Sequence, residues 1–239
     1  GPLGGGIFAV LGARSAQAAV VSLDFENINS TYPSSGFASI QEFYNGGTSS
    51  AGTTGTNFGI SFGSNALAIC LNTPEGSCSN TSRGGLGDPN SQKGGLFFLD
   101  GTETFLNYAA GFDTGFSFNY VSVSFSGDVK VYDGLNGTGN VLATLSLSPN
   151  ANSSLCNSSG AFCPFSPSGV TFSGIAKSIA FGGVANQIVF DDVTFGSDTP
   201  GPGPNTSSVP GPLPIFGAAM GFGFSRKLRN RIKLASRKA

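Results

Sequence analysis

Histidine and tryptophan are both absent from the sequence, and methionine occurs once. Histidine is the commonest general base and metal ligand in proteins, so its absence excludes Ser–His and Cys–His nucleophile pairs. Sugar-binding surfaces often stack a pyranose ring on tryptophan or tyrosine, and of these two residue types the chain contains only tyrosine, five times. The missing side chains disfavour common hydrolytic mechanisms and aromatic sugar platforms.

Charged residues are also scarce, at 10% of the chain, and the two signs are unevenly distributed. Residues 20–225 contain all thirteen acidic residues but only four basic ones, which gives this part a net charge of about −9. Nucleic acid phosphates would be repelled by such a surface, so we expect no nucleic acid partner. A negatively charged surface of this kind is compatible with bound cations.

Five acidic residues keep two-carboxylate glycosidase chemistry formally open. They are expected near strand ends or turns: Asp100, Glu103, Asp113, Asp128 and Asp133. Solvated carboxylates are common at such positions, and Walker or dinucleotide-binding patterns lack their strand–helix context here. We therefore expect that the protein is not an enzyme.

The abundant residues are those of strands and turns, including 37 glycines and 22 phenylalanines. Residues 20–196 contain ten to twelve short apolar or alternating segments and no convincing amphipathic helix. Short strands separated by turn signals predict an all-β domain, a β-sandwich or jelly roll.

Two local patterns make this prediction more specific. Residues 129–132 and 141–147 predict a hairpin, because a Gly- and Asn-rich turn separates them. In residues 115–125 the apolar positions change parity after Tyr120. Such a change predicts a bulge, or a corner where the strand changes partners.

The amino-terminal segment, residues 1–19, predicts export. It combines a small apolar stretch with an Ala-x-Ala cleavage signal that ends at Ala18 or Ala19. Because the chain opens with Gly-Pro-Leu-Gly, the remnant of a cleaved tag is the alternative to a signal-peptide remnant. We place the folded domain in residues 20–196 and a Pro/Gly-rich linker in residues 197–208.

Four cysteines lie in two pairs along this exported chain, with spacings of eight and seven residues: Cys70 and Cys78, then Cys156 and Cys163. An even number of cysteines in an oxidising compartment favours disulfides. The turn-like intervals favour pairing within each pair. A zinc site is the alternative, but it would need closer cysteines or histidines.

The carboxy-terminal segment, residues 209–239, combines a proline-spaced motif, a short apolar run and a basic end. Its last fourteen residues carry seven of the twelve lysines and arginines. A basic end after an apolar run orients the rest of the chain outside the membrane. The run of twelve residues is shorter than the roughly 20 that a permanent single-span anchor needs. Such an anchor is the alternative to a processing signal.

This segment resembles the PEP-CTERM sorting signal in its cyanobacterial form. The motif is filled by Val209, Pro210, Gly211 and Pro212, with Gly211 where the form that gives the family its name carries Glu. The resemblance implies a short hydrophobic helix, export through the inner membrane, and transient contact with the membrane and a sorting enzyme called exosortase. It also implies a place outside the cell or on its surface, among exopolysaccharide-producing bacteria.

The domain itself resembles carbohydrate-binding-module-like jelly rolls. Those often begin with a Phe-Glu strand and close with an apolar-Asp-Asp-apolar strand, here Phe25-Glu26 and residues 190–195. The resemblance implies that the first and last strands are neighbours in one sandwich.

The closing segment also predicts a calcium site. Its apolar residues change parity at Asp191 and Asp192, as though a bulge turns both carboxylates out of the ladder. Adjacent carboxylates repel each other, and no lysine or arginine lies within ten residues of them in sequence. Ca²⁺ would supply the charge, with Glu26 as a third ligand if the two end strands are neighbours. Two solvated aspartates at a strand edge are the alternative.

Two classes of function therefore remain. The first is a structural protein of the cell surface or extracellular matrix, such as a self-assembling sheath or filament subunit. The alternative is a calcium-stabilised carbohydrate-binding module that retains exopolysaccharide at the surface. The scarcity of tyrosine and the lack of tryptophan favour the structural class.

Overall fold

The structure is a computed structural model of the chain. It describes residues 20–29, 36–74, 76, 78, 83–91, 93–157 and 160–201. The predicted signal segment, sorting motif and short carboxy-terminal helix lie outside these residues.

The described residues form twelve β-strands and one short turn of 3₁₀ helix, Ser153–Leu155. The strands are β1 Val21–Leu23, β2 Ala38–Ser39, β3 Ile60–Phe62, β4 Leu67–Cys70, β5 Gly94–Phe97, β6 Glu103–Phe112, β7 Gly115–Ser122, β8 Gly127–Tyr132, β9 Val141–Leu147, β10 Ser166–Thr171, β11 Ala176–Gly182 and β12 Ile188–Phe195. The predicted all-β class and strand number are confirmed. No helix in this part of the chain is long and apolar enough to cross a membrane.

The strands form two antiparallel sheets that pack as a sandwich. The seven-stranded sheet has the order β10-β7-β12-β5-β4-β2, and β1 pairs with β12 beside this path. The five-stranded sheet has the order β3-β6-β11-β8-β9. Because β1 pairs with β12, the two ends of the domain lie side by side, as the jelly-roll resemblance implies.

The predicted hairpin is confirmed, since β8 and β9 pair in antiparallel register. The predicted bulge in residues 115–125 is wrong, because β7 pairs with β10 without interruption and runs straight to Ser122. Both faces of β7 are buried: Phe118 packs in the main core, whereas Val121 packs in a second cluster. Two buried faces, rather than a bulge, explain the change of parity.

Aromatic side chains fill the space between the sheets. Phe118 and Phe190 of the seven-stranded sheet meet Phe181 of the five-stranded sheet, with ring centroids 4.9 to 6.2 Å apart. All three side chains are fully buried. Edge-to-face and tilted contacts of this kind add to the stability that burial of apolar surface provides.

Both predicted disulfides are present. Cys70 pairs with Cys78 and Cys156 pairs with Cys163, with Cα–Cα distances of 5.8 and 6.4 Å. Each disulfide closes a loop on the face of the seven-stranded sheet that carries the second cluster, which contains Ile69 and Phe162. The disulfides hold loops that cover the sheet.

The sandwich continues beyond the expected boundary at residue 196. The Ser117 hydroxyl donates to the Ser197 carbonyl at 3.0 Å, and the Gly201 amide donates to Thr194 Oγ1 at 3.0 Å. Residues 197–201, which sequence reasoning assigns to the linker, therefore contact the seven-stranded sheet.

Candidate functional site

The candidate site begins at an interruption in β12. Asp191 lies opposite Asn119 of β7, but the next paired residue is Thr194, opposite Ser117. Asp192 has a φ of 48°, in the left-handed region. This is a β-bulge at the two aspartates, as predicted from the change of parity, and a bulge of this kind re-aims side chains.

The bulge directs both carboxylates toward the loop of residues 88–91. Ser91 Oγ lies 2.8 Å from Asp191 Oδ2 and 3.0 Å from Asp192 Oδ1, so one hydroxyl group bridges the two acids. Asp192 Oδ2 accepts a hydrogen bond from the Asn119 amide at 3.1 Å. The Asp192 backbone N–H donates to Asp191 Oδ1 at 2.7 Å. These donors fix the orientation of both aspartates.

A third carboxylate completes the cluster. Asp88 begins an Asx turn in which its Oδ1 accepts the Asn90 N–H at 2.9 Å. Asp191 and Asp192 are fully buried, and Asp88 is only 2% exposed. We call Asp88, Asp191 and Asp192, with Ser91 and Asn119, the aspartate cluster.

Burial and mutual repulsion disfavour the charged form of these acids. Burial raises the pKa of Asp191 well above its ordinary value, and the neighbouring Asp192 and Asp88 carboxylates raise it further. Burial is also the main reason why the pKa of Asp88 rises to about 6. The donors Ser91 and Asn119 are neutral and offset only part of this cost. Burial and mutual repulsion therefore favour binding of a proton or a cation at the cluster.

Glu26 follows β1 in the sequence. Its side chain lies beside the start of β5 and is not one of the groups that form the aspartate cluster. Its Oε1 accepts the N–H groups of Lys93 and Gly94 at 2.6 and 2.8 Å. A small cavity of about 40 Å³ lies beside it, lined in part by Asn27 and Asn29. Burial raises the pKa of Asp24, and the neighbouring Glu26 and Asp192 carboxylates raise it further.

The donor atoms of the aspartate cluster suit a hard cation, but their arrangement is incomplete. Carboxylate, hydroxyl and amide oxygens are the ligands that Ca²⁺ accepts. Within the described residues, no group of three His, Cys, Asp or Glu side chains is arranged to hold a metal ion. The backbone N–H groups at Lys93 and Gly94 hold Glu26 through one of its oxygens, so its use as a ligand would depend on the other oxygen.

Sequence reasoning missed Asp88, Ser91 and Asn119. The segment 86–91 has no periodicity, but Asp88-Pro89-Asn90 is a turn signal that brings a carboxylate next to its own backbone. Asn119 occupies a polar position of the alternating pattern Phe-Ser-Phe-Asn-Tyr in β7, which predicts an outward-facing side chain, so nothing in the pattern indicates its burial.

A second cavity lies next to the aspartate cluster, where the two disulfide loops meet. Its volume is about 200 Å³, and its walls include Pro74, Leu86, Pro89, Phe165 and the Cys156–Cys163 disulfide. The walls are mostly apolar, which distinguishes this cavity from the charged cluster beside it.

Comparison of the sequence with protein-family models and with curated proteins gives no match. Among solved structures, the chain is similar to a glycoside hydrolase family 43 arabinoxylan arabinofuranohydrolase from Bacillus subtilis, in complex with cellotetraose, with 18% identity and a TM-score of 0.34. The similarity covers 56% of this chain and 25% of the enzyme. At this TM-score it carries no argument about activity.

Proposed function

We propose that the protein is an exported structural subunit that assembles with further copies of itself at the cell surface or in the extracellular matrix. Two disulfides support an oxidising compartment. The PEP-CTERM-like segment 209–239 supports retention through transient contact with the membrane and a sorting enzyme.

The observation that carries the structural role is an apolar surface at one end of the sandwich. Val141 and Ile175 are 50% and 51% exposed, and Leu142 is half-buried. Leu142 lies close to Gly174, the residue before Ile175, so the segment that carries Ile175 passes near the start of β9. Exposed apolar side chains on neighbouring surface segments favour contact with another protein surface.

The tyrosines support the same choice. Tyr44 and Tyr120 are buried, and Tyr108 and Tyr132 are half-buried, so each described tyrosine has at least part of its ring covered. Stacking of a pyranose ring needs an open aromatic face. This burial weighs against the alternative, a carbohydrate-binding module for exopolysaccharide.

Sedimentation velocity and electron microscopy of the full chain over a range of concentrations test the structural role. We expect concentration-dependent assemblies with a regular repeat. A chain that remains monomeric throughout, and that binds a glycan saturably in an array screen, would contradict the structural role and favour the binding module.

We further propose that Ca²⁺ binds at Asp191 and Asp192. Three buried carboxylates with neutral hydrogen-bond donors support this proposal, and Asp88, whose carboxylate raises the pKa of Asp191, offers a third acid besides the predicted Glu26. Bound calcium would stabilise the fold by mass action. Thermal melts should therefore shift upward in millimolar calcium relative to EDTA.

The calcium effect has a matched control. The double change Asp191→Asn and Asp192→Asn should remove the shift, whereas Asp100→Asn, at an exposed position, should keep it. If the wild-type midpoint is the same in calcium and in EDTA, the aspartate cluster holds protons rather than a metal.

A further inference from the structure

The outer strand of the five-stranded sheet, β9, has an open backbone edge. It pairs with β8 on one side only. Within the described residues, no hydrogen bond satisfies the N–H and C=O groups on its other side. Such an edge is a template for another strand unless the sequence or the fold protects it.

The other edges of the two sheets are protected by common means. β2 has two residues, and β1 and β3 have three each, which is too short for extensive pairing. β10 has six residues but contains Pro167, which lacks an N–H group, and Gly169.

β9 lacks the short length, proline and glycine of the other edges, and its one irregularity is a bulge at Leu142, near its start. Its seven residues, Val-Leu-Ala-Thr-Leu-Ser-Leu, include no charge, proline or glycine. The contrast with the other edges singles out β9 as the place where this sandwich can extend its sheet.

We propose that β9 pairs antiparallel with β9 of a second copy of this chain, about a two-fold axis at Thr144. This inference rests on the proposed structural role and identifies the surface that performs it. Thr144 is the middle residue of the strand, so an axis there gives the longest overlap. The pairing joins two five-stranded sheets into one continuous sheet, with both apolar inner faces on the same side.

Charge supports a second copy as the occupant. A two-fold contact brings identical residues together, so any net charge along the strand would repel itself. β9 is uncharged, and the nearest charges on β8, Lys130 and Asp128, neutralise each other in an ion pair of 2.6 Å. The half-exposed Val141 lies at one end of the same edge and would lose water contact on pairing.

The substitution Thr144→Glu tests the pairing without disturbing the fold. Thr144 is exposed and lies opposite Lys130 on β8, so a carboxylate is well placed within one chain. Across the two-fold axis, the two introduced carboxylates would face each other and repel. The matched control is Thr171→Glu, at an exposed threonine of the proline-containing edge β10.

We expect Thr144→Glu to raise the dimer dissociation constant of the full chain at least tenfold in sedimentation equilibrium, with the melting midpoint of the wild type at concentrations where both proteins are monomeric. The increase in the dissociation constant should be smaller at high salt, because salt screens the repulsion between the two carboxylates. Thr171→Glu should dimerise like the wild type. If Thr144→Glu also dimerises like the wild type, the pairing is wrong.

A cysteine variant tests the register. Directly opposed residues of an antiparallel pair have Cα atoms about 4.5–5.5 Å apart, within the range that a disulfide spans. Because the four native cysteines are paired, Thr144→Cys introduces the one free thiol. Under oxidation it should give a covalent dimer on non-reducing gels, and Thr171→Cys should stay monomeric. Equal crosslinking of both variants would overturn the proposed register.

The two proposals can fail separately. Regular assemblies that persist in Thr144→Glu would leave the structural role standing and overturn the β9 pairing. A wild-type chain that forms the β9 dimer but no larger assembly would support the pairing and contradict the role as a matrix subunit.

Discussion

Leu23 of the first strand lies directly opposite Val193 of the last strand. The pair is immediately next to Asp192, so the junction of the two chain ends and the bulge that carries the aspartate cluster are one structural feature. Changes that loosen the cluster are therefore expected to affect the stability of the whole sandwich. Proton binding to the aspartate cluster should also change the stability of the sandwich.

Stability should fall as the pH rises. The pKa of Asp88 is raised from 3.8 to about 6, so between these values the folded state holds a proton that the unfolded state has released. The associated stability, about 2 kcal/mol after allowance for solvent screening, is present below pH 4 and lost as the pH rises through 6. The raised pKa of Asp191 acts in the same direction.

Urea unfolding in EDTA between pH 4 and 7 measures this effect. Asp88→Asn should flatten the decline between pH 4 and 6, whereas Asp100→Asn, at an exposed position, should leave it unchanged. A wild-type stability that rises over this range relative to Asp88→Asn would contradict the sign of the prediction.

Ser91→Ala should destabilise the domain. The Ser91 hydroxyl bridges Asp191 and Asp192 in a buried site, so its removal leaves both carboxyl groups without this hydrogen-bond partner. We expect a loss of about 1–3 kcal/mol in the free energy of unfolding. Ser146→Ala, at an exposed position of β9, is the matched control and should change stability by less than about 0.5 kcal/mol. Equal effects of the two changes would argue against the bridging role.

Sequence reasoning found Asp191 and Asp192 on β12 but missed Asp88 and Ser91 on a loop, and it also missed Asn119 on β7. The apolar alternation on both sides of Asp191 and Asp192 makes their displacement visible. Asp88 and Ser91 reach them from a loop with no periodicity, and only the fold brings residues a hundred positions apart together.

The same parity argument failed at β7 for a physical reason. The argument assumes that one face of a strand is exposed. Both faces of β7 are buried, and Val121 packs in the second cluster. The loops that cover this face include Phe162, and their low periodicity gave no sign that they would cover a sheet.

Loss of either disulfide should weaken the loops that cover the seven-stranded sheet. Cys70→Ser with Cys78→Ser, or Cys156→Ser with Cys163→Ser, should each cost about 2–3 kcal/mol, because each disulfide closes a short loop. Denaturant unfolding measures the loss, and peptide mapping without reduction checks the pairing in the wild type. Recovery of a peptide that links the first pair to the second would contradict the local connectivity.

Residues 209–239, the proposed sorting segment, should be dispensable for folding, whereas residues 197–201 should stabilise the domain. Residue 198 passes so close to Gly169 that a Cβ there would collide with the Asp198 carbonyl, and hydrogen bonds join Ser197 and Gly201 to the sheet. A chain ending at Gly201 should therefore melt within about 1 °C of the full chain. A chain ending at Gly196 loses both hydrogen bonds, each worth about 1 kcal/mol, which corresponds to a decrease of about 4–8 °C in Tm. Calorimetry of the three chains measures the difference, and equal midpoints for the two shortened chains would place the domain boundary at residue 196, as sequence reasoning expects. If residues 209–239 act as the proposed sorting signal, the chain ending at Gly201 should appear in the medium of the cells and the full chain at their surface.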